Sequence, residues 1–338
     1  QWYQIKNIGK IMKKYKLYGL GNALLDYEYR VNDHILKQFN QKKGTMLLNE
    51  YDKHQLMHTT LKEIRPPEKI LPGGSVANSV YTMAQFGNNV CFTGKVSNDE
   101  SGKNFIDCLS KSGIKTHVMQ SSRDTSGECL VLVTPDNERT MNTYLGSSST
   151  LSIDDVSLDY IKSSEYLLIE GYLASSDNTL EVCIHSLEKA EENNAKPIIT
   201  LSDPNIVSIF RNNILKLFNQ KSYILFCNEQ EALNFSQTQS LEVAKDFLNE
   251  ISDIVIITRS EKGAICYANN KSYVVDGINV TSKDFTGAGD MFLGAFMHKF
   301  NEHNFLESLE FANHCASKII QVYGAKFNNS SDYAKLIK

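Results

Sequence analysis

Four short apolar segments alternate with helical stretches in the second half of this chain. Apolar segments of this length between helices are typical of buried parallel strands, because parallel strands are joined by helical crossovers. The pattern therefore predicts an α/β fold with a mainly parallel central sheet and helices packed on it. The predicted strands are 166–169, 197–201, 223–227 and 254–258, and the predicted helices are 177–194, 205–219, 229–235 and 241–251.

Three β segments in the first half do not fit this alternation. They lie at 27–31, 42–48 and 127–145. Surplus strands of this kind often form a small sheet that projects over a site as a lid. We therefore expect a single domain over residues 12–338 with a discontinuous lid at about 26–49 and 125–145. The first eleven residues lack an initiator methionine and an apolar core of signal-peptide length, so we expect 1–11 to be a tag or an upstream extension outside the fold.

Composition argues against several kinds of partner. The net charge of −4 gives no basic footprint for nucleic acid, and no run approaches the ~18 apolar residues of a membrane span. The seven cysteines are scattered without a CxxC pair, which favours reduced thiols in a cytoplasmic protein. We expect a small-molecule partner and a monomer or homodimer. The eight histidines suggest no metal site, and His54 and His58 are expected at the surface.

The stretch Asp284-Phe-Thr-Gly-Ala-Gly-Asp290 combines a glycine turn, two carboxylates and the start of an apolar helix. Backbone N–H groups at a helix start stabilise an oxyanion, and a nearby carboxylate accepts a proton from a hydroxyl. Phosphoryl transfer needs both. The alternative is an Asp helix cap beside a glycine turn. A P-loop and a dinucleotide fingerprint are both absent, which argues against an NAD oxidoreductase.

Further polar residues follow predicted strands or precede helices. Gly73 and Gly74 precede a helix and permit close approach of a ligand, and Asn78 offers both a donor and an acceptor. Asp26 follows a glycine turn, where it either binds two sugar hydroxyls or shapes the turn. Asn228 and Glu231 lie three apart after a strand, a spacing that suits water-coordinated Mg²⁺ but is also common on solvated helix faces. Glu170 directly follows a predicted strand on the substrate side; no motif fixes its role, and a solvated carboxylate at the strand end is an equal alternative.

Together these motifs resemble the PfkB carbohydrate kinase family, also called the ribokinase-like fold, over most of residues 16–326. The resemblance implies a three-layer α/β/α domain with a small β-sheet lid, and a kinase that uses ATP and Mg²⁺, with K⁺ as a further cation in some members of the family. It implies that Asp290 is the catalytic base and that Gly287, Ala288 and Gly289 form the anion hole. The residues implied to bind the substrate are Asn22, Asp26, Gly73, Gly74, Asn78 and Arg139, and those implied to bind the nucleotide are Thr258, Gly263 and Asn313. Asn228 and Glu231 are implied to hold Mg²⁺ through water, and Asp284 and Thr286 to hold a monovalent cation.

The strings around Asn22, Gly73, Arg139 and Ser202 resemble the adenosine-kinase branch of the family. They imply phosphorylation of the primary hydroxyl of a nucleoside, adenosine to AMP, with a sugar kinase for ribose, fructose or a related sugar as the alternative. A nucleoside needs an apolar slot for its base, and Tyr27, Tyr29 and Phe39 are candidates for lining it. A ligand-binding protein without catalysis is a third reading, which the intact Asp290 argues against. One departure is Ser260, where the family usually has glycine.

Overall fold

A nine-stranded sheet forms the centre of the protein, described here from a computed structural model over residues 13–337. The expected extension at 1–11 lies outside these residues. Seven neighbouring strands are parallel, and an antiparallel pair completes one edge. In spatial order the strands are β14 (Lys271–Val275), β13 (Ala264–Ala268), β12 (Ser252–Thr258), β11 (Ser222–Asn228), β10 (Lys196–Thr200), β9 (Ser164–Glu170), β1 (Tyr15–Leu20), β5 (Val90–Ser97) and β6 (Lys115–Ser121). The predicted parallel α/β sheet is confirmed.

Helices cover both faces of this sheet, because successive strand residues point to opposite sides and both sets are apolar. Leu168 belongs to the apolar core on one side, whereas Leu167 and Ile169 belong to the core on the other. The first core includes residues of α3 (Ser75–Gln85), α4 (Glu100–Lys111), α10 (Ala288–Lys299), α11 (Phe305–Ile319) and α12 (Ser330–Leu336). The second includes residues of α5 (Leu158–Ser163), α6 (Asp177–Glu192), α7 (Pro204–Lys216), α8 (Glu229–Ser236) and α9 (Leu241–Ile251). Among the described residues, none of the helices has the length and hydropathy of a membrane span.

A second, five-stranded sheet is built from the first half of the chain, as the sequence predicts. Its spatial order is β3 (Met46–Leu48), β8 (Arg139–Tyr144), β7 (Gly127–Val133), β2 (Leu24–Arg30) and β4 (Lys69–Gly73). Strand β4 is absent from the sequence-based interpretation, which used Pro72 only as a helix breaker. Because β4 is an edge strand, it tolerates a residue that cannot donate to the sheet. Two helices also precede it, α1 (Asp33–Gln38) and α2 (Tyr51–Ile64).

Register assigns the two faces of this second sheet. Asp26 pairs with Cys129, and Val131 pairs with Met141, so these four side chains share one face. Tyr27 lies on the opposite face, where its ring packs 4.5 Å from that of His58 on α2. Tyr29 belongs to the same covered cluster, and Phe39 packs against it. These three aromatic side chains, which are candidates for lining a base slot, therefore do not share the face that carries Asp26. Alternation along a strand shows which residues share a face, and only tertiary packing decides which face meets the site.

The expectation that His54 and His58 lie at the surface is also wrong. Both are buried on α2, against the back of the second sheet. They stand four residues apart on one helix face, and that face packs on β7 and β8.

Candidate active site

Asp290 lies in the first turn of α10, where the chain leaves the glycine turn and enters an apolar helix. Its carboxylate accepts two hydrogen bonds from α3: Ser75 Oγ donates to Oδ1 at 2.6 Å, and Asn78 Nδ2 donates to Oδ2 at 2.9 Å. Burial raises the pKa of Asp290, and these two donors together with the charge of Lys326 oppose that rise. A carboxylate held by two donors with a raised pKa is suited to accept a proton. Sequence reasoning found Asp290 and Asn78 but missed Ser75, which follows Gly74 directly.

The glycine turn before Asp290 is shaped by close packing against Ala325. Gly287 has φ +71°, and a β-carbon there would lie 2.4 Å from the Ala325 β-carbon. Only glycine satisfies both constraints. The Ala288 N–H donates to the Phe285 carbonyl at 3.2 Å, whereas the N–H groups of Gly287 and Gly289 have no acceptor within residues 13–337. The free amides at the start of α10 are those that an incoming anion would meet.

Asp26 approaches this turn from the second sheet. Burial raises its pKa to about 7, opposed by the charges of Lys326 and Arg139. The segment at Gly73 and Gly74 packs very closely against Asp26 and Asn22. A β-carbon on Gly73 would lie 2.2 Å from Asp26 Oδ1, and one on Gly74 would lie 2.3 Å from the Asn22 carbonyl oxygen. Gly74 also has φ +100°. Gly74 is therefore required by its backbone conformation and by the Asn22 carbonyl, whereas Gly73 leaves room for the Asp26 carboxylate.

Glu170 connects the loop at Asn22 to the first turn of α3 from beneath. Its carboxylate is fully buried and accepts from the backbone N–H of Asn22 and of Val76, each at 2.9 Å. Burial raises its pKa to about 7 despite these donors. Of the two interpretations left open for Glu170, the structure contradicts the solvated carboxylate, because β9 is a central strand whose end lies under Asn22 and the start of α3. Asn22 is fixed further by Ser148, whose hydroxyl lies 3.1 Å from Asn22 Oδ1.

Lys326 is a second site residue that sequence reasoning missed. Its side chain is buried, and its ammonium donates to the Pro72 carbonyl at 2.6 Å. Burial lowers the pKa of Lys326, and the charges of Asp26 and Asp290 oppose that fall. It is thus a buried cation that interacts electrostatically with both carboxylates. The Gly324-Ala325 turn directly before Lys326 was the available signal in the sequence.

Arg139 connects the second sheet to the stretch before the glycine turn. Its Nη2 group pairs with Asp284 Oδ2 and lies 2.9 Å from Glu28 Oε2. Asp284 also accepts from the backbone N–H groups of Thr286 and Gly324. The structure therefore brings a guanidinium to the carboxylate where the sequence predicts a monovalent cation. That cation site at Asp284 and Thr286 stays a prediction.

The predicted Mg²⁺ residues form a buried helix cap. Asn228 Oδ1 accepts from the Glu231 N–H at 2.8 Å, and Glu231 accepts from the Asn228 N–H at 2.9 Å and from Asn228 Nδ2 at 2.7 Å. Burial raises the pKa of Glu231 to about 8, reinforced by the charges of Asp203 and Asp290. Each carboxylate oxygen keeps a further lone pair. The carboxylates of Glu231, Asp203 and Asp290 repel one another, and a hard cation such as Mg²⁺, which prefers oxygen ligands, fits such a group.

The predicted nucleotide residues lie at the far end of the central sheet. Thr258 is the last residue of β12 and pairs with Ala264, the residue that follows Gly263. Asn313 on α11 donates to the Asp276 carbonyl at 2.8 Å. Ser260, the departure from the family pattern, has φ +51°. That left-handed conformation explains why glycine is usual there, since a side chain is strained in it.

A small, partly open cavity lies between the second sheet and the glycine turn. It is lined by charged side chains, by the aliphatic Leu71 and Val131, and by backbone of the 324–326 turn. Val131 belongs to an aliphatic strip with Cys129, Val133 and Met141 on the face that carries Asp26. The charged residues of the lining are Asp26, Glu28, Lys69, Arg139 and Lys326.

Comparison with known proteins agrees with this geometry. Residues 52–332 match the pfkB family of carbohydrate kinases. The chain belongs to this family. A ribokinase from Staphylococcus aureus is 24% identical over 273 residues, which covers 78% of this chain and 86% of that protein. The family and the ribokinase-like fold expected from the motifs are confirmed, and the chain is a kinase.

Two solved structures are similar over nearly the whole chain. A probable sugar kinase from Rhizobium etli CFN 42 superposes with a TM-score of 0.89 at 27% identity, covering 96% of this chain and all of that one. An adenosine kinase from Sinorhizobium meliloti superposes with a TM-score of 0.88 at 26% identity, with the same coverage. The pfkB match covers both the second sheet from β4 onward and the glycine turn.

Proposed function

We propose that this pfkB kinase transfers the terminal phosphoryl group of ATP to the primary hydroxyl of a nucleoside, converting adenosine to AMP. One observation carries the choice of a nucleoside. The sheet face that presents Asp26 also presents the aliphatic strip of Cys129, Val131 and Met141. A nucleoside combines a ribose diol with a largely apolar base. The diol can donate hydrogen bonds to a carboxylate, and an aliphatic strip can cover the base.

Asp290 is the general base of this proposal. Its carboxylate accepts the proton of the attacking hydroxyl, the hydroxyl oxygen forms a bond to the terminal phosphorus, and the bond to the ADP oxygen breaks. The N–H groups of Gly287 and Gly289 stabilise the charge on the transferring group. The buried ammonium of Lys326 lowers the pKa of Asp290 and keeps more of it ionised. Closure of the small sheet over the cavity excludes water, which otherwise competes as the acceptor.

Glu231 would hold Mg²⁺ through its water shell, as the sequence predicts, with Asn228 orienting the carboxylate. Bound Mg²⁺ neutralises charge on the nucleotide phosphates. Thr258, Gly263 and Asn313 would surround the nucleotide. At Asp284, the Arg139 guanidinium supplies a positive charge that K⁺ would otherwise supply.

A sugar kinase is the second candidate, and it also rests on a specific observation. Five charged side chains line the cavity, and such a lining would satisfy the hydroxyls of a free sugar. The two candidate acceptors differ in one part, because a nucleoside carries a base that must be covered and a free sugar does not. They therefore respond differently to a change in the aliphatic strip.

The test replaces Val131, which is buried in that strip, with the isosteric threonine. ADP release is measured with adenosine and with ribose and fructose, and AMP is confirmed as the product. A hydroxyl facing an apolar base costs about 1–3 kcal/mol, so we expect kcat/KM for adenosine to fall by roughly 5- to 150-fold. The matched control is Val274→Thr, at an exposed position on β14. Turnover of a free sugar but not of adenosine by the wild-type enzyme would replace the first proposal with the second.

A further inference from the structure

His54, His58 and Glu128 form a compact cluster outside the candidate active site. The two histidines lie one turn apart on α2, and Glu128 reaches them from β7. One ligand atom from each residue lies within 4.8 Å of the others. Both imidazoles are buried, so their ring nitrogens are placed by packing. The sequence shows the His-x3-His spacing, but the third residue, Glu128, lies 70 positions after His58 and no local pattern connects it to them.

The distances within this cluster suit a shared cation better than direct hydrogen bonds. Glu128 Oε2 lies 3.4 Å from His54 Nε2 and 3.2 Å from His58 Nδ1. A charge-assisted N–H···O⁻ bond is about 2.7–2.9 Å long. Two ligand atoms that are each about 2.1 Å from a tetrahedral Zn²⁺ lie about 3.4 Å apart. We propose that His54, His58 and Glu128 bind one Zn²⁺ ion, with a water molecule as the fourth ligand.

The ligand set selects the type of metal. Two imidazoles and one carboxylate suit Zn²⁺ and related transition metals, whereas Mg²⁺ and Ca²⁺ prefer oxygen alone. The outer ring nitrogens, His54 Nδ1 and His58 Nε2, have no hydrogen-bond partner among the described residues. Each would carry its proton unpaired when the inner nitrogen binds metal, and such losses weaken metal affinity by about 10–100-fold. We therefore expect a moderate affinity, below that of a structural zinc site with complete outer hydrogen bonds.

The position of the cluster indicates that a bound ion would stabilise the packing of α2 on the second sheet. Glu128 precedes Cys129 on β7 and pairs with Leu25, so it faces away from Asp26 and the cavity. Its other oxygen accepts from Ser101 on α4 at 3.1 Å. A bound ion would thus tie α2 to the back of the small sheet, with Glu128 connecting it to α4. We expect Zn²⁺ to stabilise this arrangement without contact with the acceptor.

The experiment uses the full chain after treatment with a chelator. Equilibrium dialysis against Zn²⁺ with elemental analysis should give one ion per chain, and the melting temperature should rise with Zn²⁺. Substitution of Co²⁺ should give the intense visible bands of a tetrahedral site without the sulfur-to-cobalt charge transfer that a cysteine ligand would produce. Binding should weaken at acid pH, because the imidazoles must lose their protons.

The decisive variant is Glu128→Gln, which keeps the size of the side chain and its bond to Ser101. We expect its Zn²⁺ affinity to fall more than about tenfold and its melting temperature to stop responding to Zn²⁺. The double variant His34→Gln/His303→Gln removes two exposed histidines and should bind as the wild type does. Substoichiometric binding by the wild-type chain, or equal affinity in Glu128→Gln, would overturn the proposal. If Glu128→Gln fails to fold, the Co²⁺ spectrum of the wild-type chain decides, since an octahedral or thiolate spectrum contradicts this ligand set.

Discussion

The hydrogen bond from Ser75 to Asp290 sets the proton affinity of the proposed base. Replacement of Ser75 by alanine removes the 2.6 Å donor to Oδ1 and leaves Asn78 on Oδ2. Burial already raises the pKa of Asp290, and the Ser75 donor opposes that rise. Loss of the donor therefore raises the pKa further. Because the base must be ionised to accept a proton, the acidic limb of the rate profile moves to higher pH.

The size of the shift follows from the strength of the bond. A hydrogen bond to a charged group contributes about 1.5–3 kcal/mol, and one pKa unit corresponds to about 1.36 kcal/mol. The limb should therefore move up by roughly one to two units. On the acidic side of the limb, kcat/KM should fall roughly 10–100-fold, and most of the activity should return at alkaline pH.

The assay is ADP release with adenosine across pH, fitted for the limb in kcat/KM. Ser79→Ala is the matched control, since Ser79 lies on the same helix and donates only to the Ser75 carbonyl. Its profile should overlay that of the wild type. A Ser75→Ala profile that is lowered equally at every pH would refute the electrostatic argument, because a change in packing alone does not move a titration.

Three further predictions concern other charges and strain in the site. Lys326→Met removes the cation that lowers the pKa of both Asp26 and Asp290, so the acidic limb should again move to higher pH in the same assay, and an unmoved limb would contradict the role of this ammonium. Arg139→Gln leaves Asp284 without its guanidinium and should destabilise the fold by about 3–5 kcal/mol. If K⁺ can take the place of that guanidinium at Asp284, the melting temperature of the variant should rise with KCl more than that of the wild type. Equal responses to KCl would refute this. Ser260→Gly relieves a left-handed residue and should raise the free energy of unfolding in urea by up to about 1 kcal/mol, after the cost of a more flexible unfolded chain.

Local patterns in the sequence were enough to predict the central sheet and the glycine turn. The strands from β9 to β12 are short apolar runs between helices, and Asp290 and its turn are contiguous. Each of these features depends on neighbours in the chain. The pattern around Gly73 and Gly74 was found for the same reason, because the two glycines are contiguous and precede a helix directly.

Long-range relationships in the site could not be predicted. Ser75 and Asp290 are 215 residues apart, and no pattern in either segment indicates their hydrogen bond. Lys326 acquires its role from burial beside two carboxylates that arrive from other elements. Tyr27 carried the right chemistry for a base slot, yet the period of a strand does not say which face meets the cavity. Such facts depend on packing between distant segments.

The most direct test of the central claim is turnover by the isosteric variant Asp290→Asn. Asparagine keeps the size of the side chain but is not a base, and a positioned base contributes about 10²–10⁴-fold. With adenosine, ATP and Mg²⁺, the wild-type chain should release ADP and form AMP in equal amounts, whereas Asp290→Asn should lose at least about a hundredfold in kcat with an unchanged melting profile. Wild-type turnover by a folded Asp290→Asn protein would contradict the assignment of Asp290 as the base.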